Sequence, residues 1–244
     1  MVPRAAAPES APHRDRFGLV LGLLVASLVA STVLTNSQAR VVILLLFVAA
    51  LLVSLQSAHL PGRTRKVVWW TMTTGSLLVV GYAIAVGGEM SGGVASAWIA
   101  FVTATAVGVV VRRIMSHVQI TRQTVFGALS AYLLIGFMFA AVFAMTAHLE
   151  DAAFFAGGDR ESVGNMQYFS FVTLTTTGYG DLTAATETGR ALVVIEALLG
   201  QIFLVTLVAR LVALYGTSRP VPRPSAPGQD ETTRQRDHPG EPPE

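Results

Sequence analysis

The most distinctive chemical feature of this 244-residue chain is the run Thr175-Thr176-Thr177-Gly178-Tyr179-Gly180-Asp181. Its two glycines are separated by one larger residue, and glycine adopts left-handed backbone conformations at little steric cost. A chain that alternates between ordinary and left-handed conformations can point successive carbonyl oxygens in one direction. Such oxygens replace the water that a cation loses on entering a narrow path. The run therefore predicts backbone coordination of a dehydrated cation.

The residues that precede this run are typical of a short helix. Val163–Thr175 is largely apolar, and Ser162 or Asn165 is a suitable N-cap. At about 1.5 Å per residue such a helix is under roughly 20 Å long, so it enters a bilayer without crossing it. Irregular backbone at membrane depth is tolerated only where it is buried in protein or lines a water-filled path. Residues 176–181 are therefore predicted to line such a path.

Composition indicates a membrane protein. Hydrophobic residues make up 52% of the chain and charged residues 13%, whereas soluble domains carry about 25% charged residues. Each of six apolar runs is near the roughly 20 residues of a membrane-spanning helix, at about 17–35, 41–58, 67–87, 94–111, 124–147 and 190–215. The predicted fold class is all-α, with six transmembrane helices, a re-entrant pore helix and a filter loop.

The basic residues predict an orientation. With a cytoplasmic N-terminus and six crossings, 14 of the 17 Lys and Arg residues lie inside and three outside, as the positive-inside rule requires. We therefore expect a multi-pass protein of the cell membrane with both termini cytoplasmic. Residues 1–39 also resemble a secretory signal. Cleavage or retention of this segment stays open, and the later helices have the same orientation either way.

Changes in composition divide the chain into segments. We expect a disordered N-terminus, a four-helix transmembrane domain, a cytoplasmic linker, a pore domain and a disordered tail, at 1–16, 17–111, 112–123, 124–215 and 216–244. The pore domain is expected to contain an outer helix, pore helix 163–175, filter 176–181 and inner helix 190–215. The tail is too polar to bury a core. The lack of cysteine excludes disulfides and thiolate metal sites.

In this setting residues 176–181 resemble the selectivity filter of potassium channels, which is usually TVGYG followed by Asp. The resemblance extends through Ser170–Asp181 and Thr188-Gly189-Arg190. Residues 124–215 as a whole resemble the two-helix pore module of bacterial members, and residues 17–123 match only the general plan of six-helix subunits. The resemblance implies a potassium-selective channel that conducts passively. A weakly selective cation channel of the same architecture is the alternative.

The resemblance also implies roles for individual filter residues. Potassium would be coordinated through Thr176, Thr177, Gly178 and Tyr179, with Gly180 completing the filter. Thr177 replaces the usual Val, but its carbonyl still serves and its side chain is expected to face away from the ion. Thr176 adds a hydroxyl at the inner end, and Tyr179 is expected to prop the filter against neighbouring aromatic side chains.

A filter ring needs four strands, and this chain supplies one. We therefore expect a homotetramer with cyclic symmetry. The other expected partners are membrane lipids, with no nucleic acid. No cofactor is expected beyond potassium as the permeant ion, and no catalytic residue is predicted.

Three residues are predicted to support the filter. Val172 stands where some bacterial members carry a Glu that pairs with the Asp after the filter, so that carboxyl pair is missing. Tyr168 lies one helical turn earlier, and we expect its hydroxyl to donate a hydrogen bond to Asp181. Thr175, the residue before the filter, completes this set.

The last apolar run contains the predicted gate. Gly200 falls where the inner-helix hinge glycine of potassium channels sits. Helical spacing places Leu204, Val208 and Val212 on one face. Four copies of such an apolar face can close a pore by dewetting. Contact with lipid or with another helix is the alternative for these three side chains.

Glu196 is the only acidic residue within a predicted span. Acidic residues at such positions are usually functional and paired, and we expect a bond to a pore-helix threonine such as Thr173 or Thr175. A water-exposed position near the helix start is the alternative. Gln201 is expected to face the pore cavity.

The same sequence argues against several other functions. A voltage sensor needs arginines spaced at three-residue intervals through one span, and residues 94–111 contain none, so we expect weak or absent voltage dependence. Transporters tend to show paired repeats and interrupted helices, which are not visible here. A protease would need a pair such as His-Glu-x-x-His. A silent structural subunit would be free to lose its filter, and this filter is intact.

Overall fold

The computed structural model describes residues 17–33, 46, 48–50, 62–86, 88–116, 122–150, 152–159 and 161–216. This part is all-helical, since it contains only one isolated β-bridge and no strand. Its helices are α1 Phe17–Val33, α2 Gly62–Val86, α3 Gly88–Ser116, α4 Arg122–Leu149, α5 Val163–Leu174 and α6 Glu187–Gly216. The segments predicted to be disordered, 1–16 and 216–244, lie outside the described residues, apart from Gly216 at the end of α6.

Four helices of the described part are long and apolar enough to cross a membrane. The candidate spans are Lys66–Val86, Ser91–Arg112, Gln123–Leu149 and Glu187–Arg210. The all-α membrane fold class is thus confirmed, while the count of six spans stays a prediction, since four candidate spans lie in the described residues. The first predicted span is represented by α1, which has 17 residues, short of the roughly 20 that cross a hydrocarbon core. The second, 41–58, lies outside the described residues except for 46 and 48–50.

Several helices extend past the apolar runs that predicted them. α3 continues to Ser116, four residues beyond the start of the predicted linker 112–123. α6 begins at Glu187 rather than at residue 190, and an acidic side chain in the first turn stabilises a helix N-terminus. Apolar composition marks the part of a helix that lies in lipid, whereas backbone hydrogen bonding carries the helix further into polar sequence.

α4 is the central helix of the described fold. It packs against α1, α3, α5 and α6, and 61% of its candidate span is buried, against 11% of the span in α6. One apolar cluster fills the space between α1, α3 and α4, with Phe17, Leu24, Val102 and Phe137 among its buried members. α2 packs on α3, where the indole nitrogen of Trp98 donates to Ser76 Oγ at 3.0 Å.

A second cluster, of aromatic side chains, packs around α5. The rings of Phe143, Phe154, Phe155 and Phe169 lie 5.1–5.9 Å apart between centroids, mostly tilted or edge to face. Such aromatic pairs stabilise by more than their buried area alone. The cluster joins α4, α5 and the loop between them, and it therefore fixes the helix from which the filter run emerges.

Candidate functional site

The pore helix α5 has well-defined ends. Ser162 is its N-cap, with extended backbone, and its Oγ accepts the amide of Asn165 at 3.1 Å. Of the two N-cap candidates, the structure therefore selects Ser162. The helix ends at Leu174, one residue before the predicted end, because Thr175 is the C-cap. The filter run leaves the helix directly from this cap.

The backbone of the filter run alternates in handedness. The φ angles are 57° at Thr176, 54° at Gly178 and 79° at Gly180, so every second residue is left-handed. The two glycines behave as predicted. The left-handed Thr176 was not predicted, because a side chain there costs roughly 1–2 kcal/mol. A signal did exist, since the residue after a helix C-cap is often left-handed.

The amides of the filter run point back to the pore helix. Thr177 and Gly178 both donate to the carbonyl of Val172, at 2.9 and 3.3 Å, and the amide of Thr176 donates to Thr173 at 2.8 Å. Within the described residues, no hydrogen bond ends on the carbonyl oxygens of residues 176–179. These four oxygens are therefore free to coordinate a ligand.

The threonine hydroxyls of the run form their own hydrogen bonds. Thr175 Oγ1 donates to the carbonyl of Phe171 at 2.7 Å and lies 2.9 Å from Thr177 Oγ1. Because the single proton of Thr175 is used, Thr177 is the donor in that pair, and its side chain turns toward α5. Thr176 Oγ1 donates to the carbonyl of Thr175 at 2.7 Å, and Gln201 Nε2 lies 3.5 Å from it. Gln201 thus lies at the Thr176 end of the run.

A tyrosine–carboxylate pair ties the far end of the run to α5. The expected hydrogen bond is present, with Tyr168 Oη 2.7 Å from Asp181 Oδ2. This bond lowers the pKa of Asp181 because it stabilises the ionised carboxylate. The same bond raises the pKa of Tyr168, whose neutral form is the donor. The residue after the filter is thereby attached to the second turn of the pore helix.

A backbone bridge fixes the segment that follows. Phe155 and Ala184 form an isolated antiparallel β-bridge, flanked by backbone hydrogen bonds of 2.8 and 2.9 Å. Arg190 Nε, at the start of α6, donates to the carbonyl of Ala184 at 3.1 Å. The sequence did not predict this bridge, because a pairing of only one residue on each side leaves no alternating pattern in the sequence.

Two layers of contacts join α4, α5 and α6 behind the filter. In the first, Ser170 Oγ lies 2.6 Å from the carbonyl oxygen of Gly136 and 2.5 Å from Glu196 Oε1. In the second, Tyr132 Oη donates to the carbonyl of Leu174 at 3.2 Å, and Gly200 packs against the same carbonyl. Within each helix the members are four residues apart and share a face. We call Gly136, Ser170, Glu196, Tyr132, Leu174 and Gly200 the three-helix seam.

The prediction for Glu196 was partly wrong. It is paired, but with Ser170 rather than with Thr173 or Thr175, because the hydroxyl of Thr175 bonds within its own helix. The water-exposed alternative is also wrong, because Glu196 is 0% exposed. The residue four positions later, Gly200, is buried against α5.

The predicted gate residues lie on the open surface of α6. Leu204, Val208 and Val212 are 37%, 55% and 66% exposed, and a pore lining and contact with lipid or another helix both remain predictions for them. Arg210, also on α6, contacts the C-terminal end of α3. Its guanidinium donates to the carbonyl of Met115 at 3.2 Å, a contact that the sequence did not predict.

Comparison with known proteins identifies a domain in the second half of the chain. A family model described as "Ion channel" matches residues 127–216, a region that contains most of α4 together with α5, the filter run and α6. No curated protein matches the chain. The chain is therefore a membrane protein, all-helical in the part that the structure describes, that contains an ion channel domain.

Proposed function

We propose that this chain is one subunit of a homotetrameric channel that conducts potassium passively across the cell membrane. The proposal rests on the backbone of residues 176–179. Its conformation alternates between left-handed and ordinary, and its four carbonyl oxygens accept no hydrogen bond within the described residues. Four such strands around one axis form stacked oxygen rings that replace the hydration shell of a potassium ion. Thr176, Thr177, Gly178 and Tyr179 supply these oxygens, and Gly180 closes the run.

Two details favour a potassium-selective pore over a weakly selective one. Both glycines and Tyr179 of the filter pattern are retained, and the run is held at each end. Its inner end is bonded to Val172 and Thr173 of the pore helix, and Asp181 is bonded to Tyr168. A braced run keeps the spacing of its oxygens, and a preserved spacing favours one ion size or coordination number.

The exposed surfaces of the single chain support assembly of several copies. Residues 175–181 are all exposed, although filter backbone at membrane depth must be covered by protein or face a water path. α6 exposes large apolar side chains, among them Val194, Ile195, Leu198, Leu199 and Ile202. A fourfold ring of copies places one face of α6 toward the pore and covers others with neighbouring subunits.

Voltage gating is not part of the proposal. α3 occupies the position of a sensor helix, yet its candidate span Ser91–Arg112 carries a basic residue only at its end. Moving charge through the membrane field is what makes opening voltage-dependent. We expect both termini to be cytoplasmic, in agreement with the distribution of basic residues.

Flux through purified protein in liposomes tests the proposed function. Potassium efflux is expected to exceed sodium efflux by a wide margin, as a filter of carbonyl rings predicts, and barium is expected to block it. Flux is expected to change little when the membrane potential is varied. Native mass measurement in detergent is expected to give four copies of the 25.8 kDa chain. Equal sodium and potassium flux would instead support the weakly selective alternative.

Removal of the Tyr168 hydroxyl tests the brace at the far end of the filter. Tyr168→Phe is expected to speed the loss of current during sustained opening, because Asp181 is then free to turn away. Tyr82→Phe, the same change in α2, serves as the control. Current decay that is unchanged by Tyr168→Phe would show that this hydrogen bond does not brace the filter.

The same pair predicts an acid dependence. Because the pKa of Asp181 is lowered in the folded chain, its contribution to filter stability is present above the ordinary carboxyl range and is lost as pH falls through the lowered value. In Tyr168→Phe, Asp181 takes up its proton at a higher external pH. The acid-induced decline of current is therefore expected to move to higher pH in this variant.

A further inference from the structure

Glu196 is a buried acidic residue whose carboxyl group is only partly hydrogen-bonded. It is 0% exposed, and within the described residues its Oε2 has no hydrogen-bond partner. No Lys, Arg or His of the described chain forms an ion pair with it. An ionised carboxylate without a compensating partner is very costly in an apolar setting. We therefore expect the carboxyl group of Glu196 to be neutral.

A count of the protons available to the contacts of Ser170 also indicates a neutral Glu196. Ser170 Oγ lies 2.6 Å from the Gly136 carbonyl oxygen and 2.5 Å from Glu196 Oε1. Each short O···O contact requires a proton between the atoms, and a hydroxyl has one proton to donate. The carbonyl of Gly136 has none. The second proton must therefore sit on Glu196, which donates to Ser170 while Ser170 donates to Gly136.

The titratable neighbours of Glu196 do not replace this proton. Tyr132 of α4 is close enough to interact electrostatically with Glu196, but its hydroxyl is donated to the carbonyl of Leu174. On α5 the titratable side chain is Tyr168, which bonds to Asp181. On α6 itself, Arg190 donates to Ala184 and Glu187 is exposed.

We propose that Glu196 is a positioning residue that carries a proton and, through Ser170, fastens α6 and α4 to the pore helix behind the filter. This inference rests on the proposed channel function. Ser170 lies two residues before Val172, whose carbonyl holds the amides of Thr177 and Gly178. Movement of the pore helix at Ser170 is therefore transmitted to the filter. Loss of the proton removes one donor from the seam and leaves a buried charge.

Rising pH is expected to open the seam. The protonated carboxyl stabilises the folded assembly, so its contribution is present at neutral pH and is lost as the pH rises far enough to remove the proton. In the alkaline range above neutral pH, potassium flux is expected to fall at least about tenfold, since each of four seams loses a buried hydrogen bond. Glu196→Gln keeps an N–H donor toward Ser170 that does not titrate in this range. Its flux is expected to lack the alkaline decline.

Infrared spectroscopy tests protonation without relying on conduction. The purified protein is expected to show the carbonyl stretching band of a protonated carboxylic acid at neutral pH. That band is expected to disappear in Glu196→Gln and to remain in Glu187→Gln, the matched change at the exposed start of the same helix. In the wild type, the band and the thermal stability of the assembly are expected to decline together as pH rises.

Several results would overturn the inference. A spectrum without this band, or a band that Glu196→Gln does not remove, would show that Glu196 is not protonated. An equal alkaline decline of flux in the wild type and in Glu196→Gln would show that the proton does not position the pore helix. Failure of potassium flux in all variants would contradict the proposed function alone, because the band and the melting temperature would still report on the seam.

Discussion

Replacing Gly178 with alanine is expected to abolish potassium-selective flux while the helices stay folded. Gly178 has a φ of +54°, and a Cβ built there meets nothing within 4 Å, so the penalty is conformational rather than steric. A left-handed residue with a side chain costs roughly 1–2 kcal/mol. In the proposed tetramer four subunits share one filter, so the total reaches about 4–8 kcal/mol. The cheapest relief is a return to ordinary backbone, which turns the carbonyl of residue 178 away from the axis.

Gly158 provides a matched control for this prediction. Its φ is +70°, a Cβ there also meets nothing within 4 Å, and it lies in the exposed loop between α4 and α5. Gly158→Ala therefore introduces the same kind of strain far from the filter and is expected to leave selectivity intact. Potassium and sodium flux, measured with the melting temperature, separates the two variants. Selectivity that survives Gly178→Ala, or an equal loss in Gly158→Ala, would contradict the role given to the filter backbone.

The filter was largely predictable because its requirements are local. The alternation at Gly178 and Gly180 follows from the conformational freedom of glycine. The Tyr168–Asp181 bond was predicted from the resemblance to potassium channels, because Tyr168 lies one helical turn before Val172, where some bacterial members carry a Glu that pairs with the Asp. Thr176 shows the limit of this reasoning. Its left-handed backbone depends on the place where α5 ends, and helix ends are set by capping contacts rather than by residue type alone.

The three-helix seam was not predictable, because it depends on the register between helices far apart in sequence. Gly136, Ser170 and Glu196 are brought together by how deeply α5 enters beside α4 and α6. Apolar sequence fixes which segments are helical, but it does not fix how far one helix slides along another. The sequence predicted a bond from Glu196 to a pore-helix threonine, and the structure shows that Ser170 is the partner instead.

The seam and the Tyr168–Asp181 pair restrain the pore helix and filter from different sides. The pair acts at the exposed far end, whereas the seam holds the buried face of α5 against α4 and α6. Acid disrupts the first by protonating a carboxylate. Base disrupts the second by removing a proton from a carboxylic acid. The proposals together predict a bell-shaped dependence of stable conduction on pH, with Tyr168→Phe and Glu196→Gln altering opposite limbs.

Gly200→Ala is expected to destabilise the assembly and to stop conduction. A Cβ at this position lies 2.7 Å from the carbonyl oxygen and 2.8 Å from Cδ1 of Leu174. The carbonyl cannot move freely, because it is the last of α5 and accepts the hydroxyl of Tyr132. Overpacking of this kind costs about 1–3 kcal/mol in each subunit. The added methyl group therefore pushes α6 away from the base of the filter.

Gly81→Ala and Gly108→Ala are suitable controls for this change. Both glycines lie in membrane-spanning helices with nothing within 4 Å of an added Cβ, so alanine is expected to raise helix stability by up to about 1 kcal/mol. Thermal melting of the assembly and potassium flux distinguish the three variants. A melting temperature for Gly200→Ala equal to or above that of the controls would contradict close packing at this position.

The same measurements separate two roles for Gly200. A hinge glycine allows bending, so alanine would reduce channel opening while leaving the closed assembly as stable as before. A packing glycine admits the Leu174 carbonyl, so alanine lowers both conduction and melting temperature. The seam favours the second role, since Gly200 lies one turn beyond Glu196 on the face that contacts α5. If both roles apply, bending at Gly200 must also loosen the base of the filter, and the gate and the filter then respond to one movement.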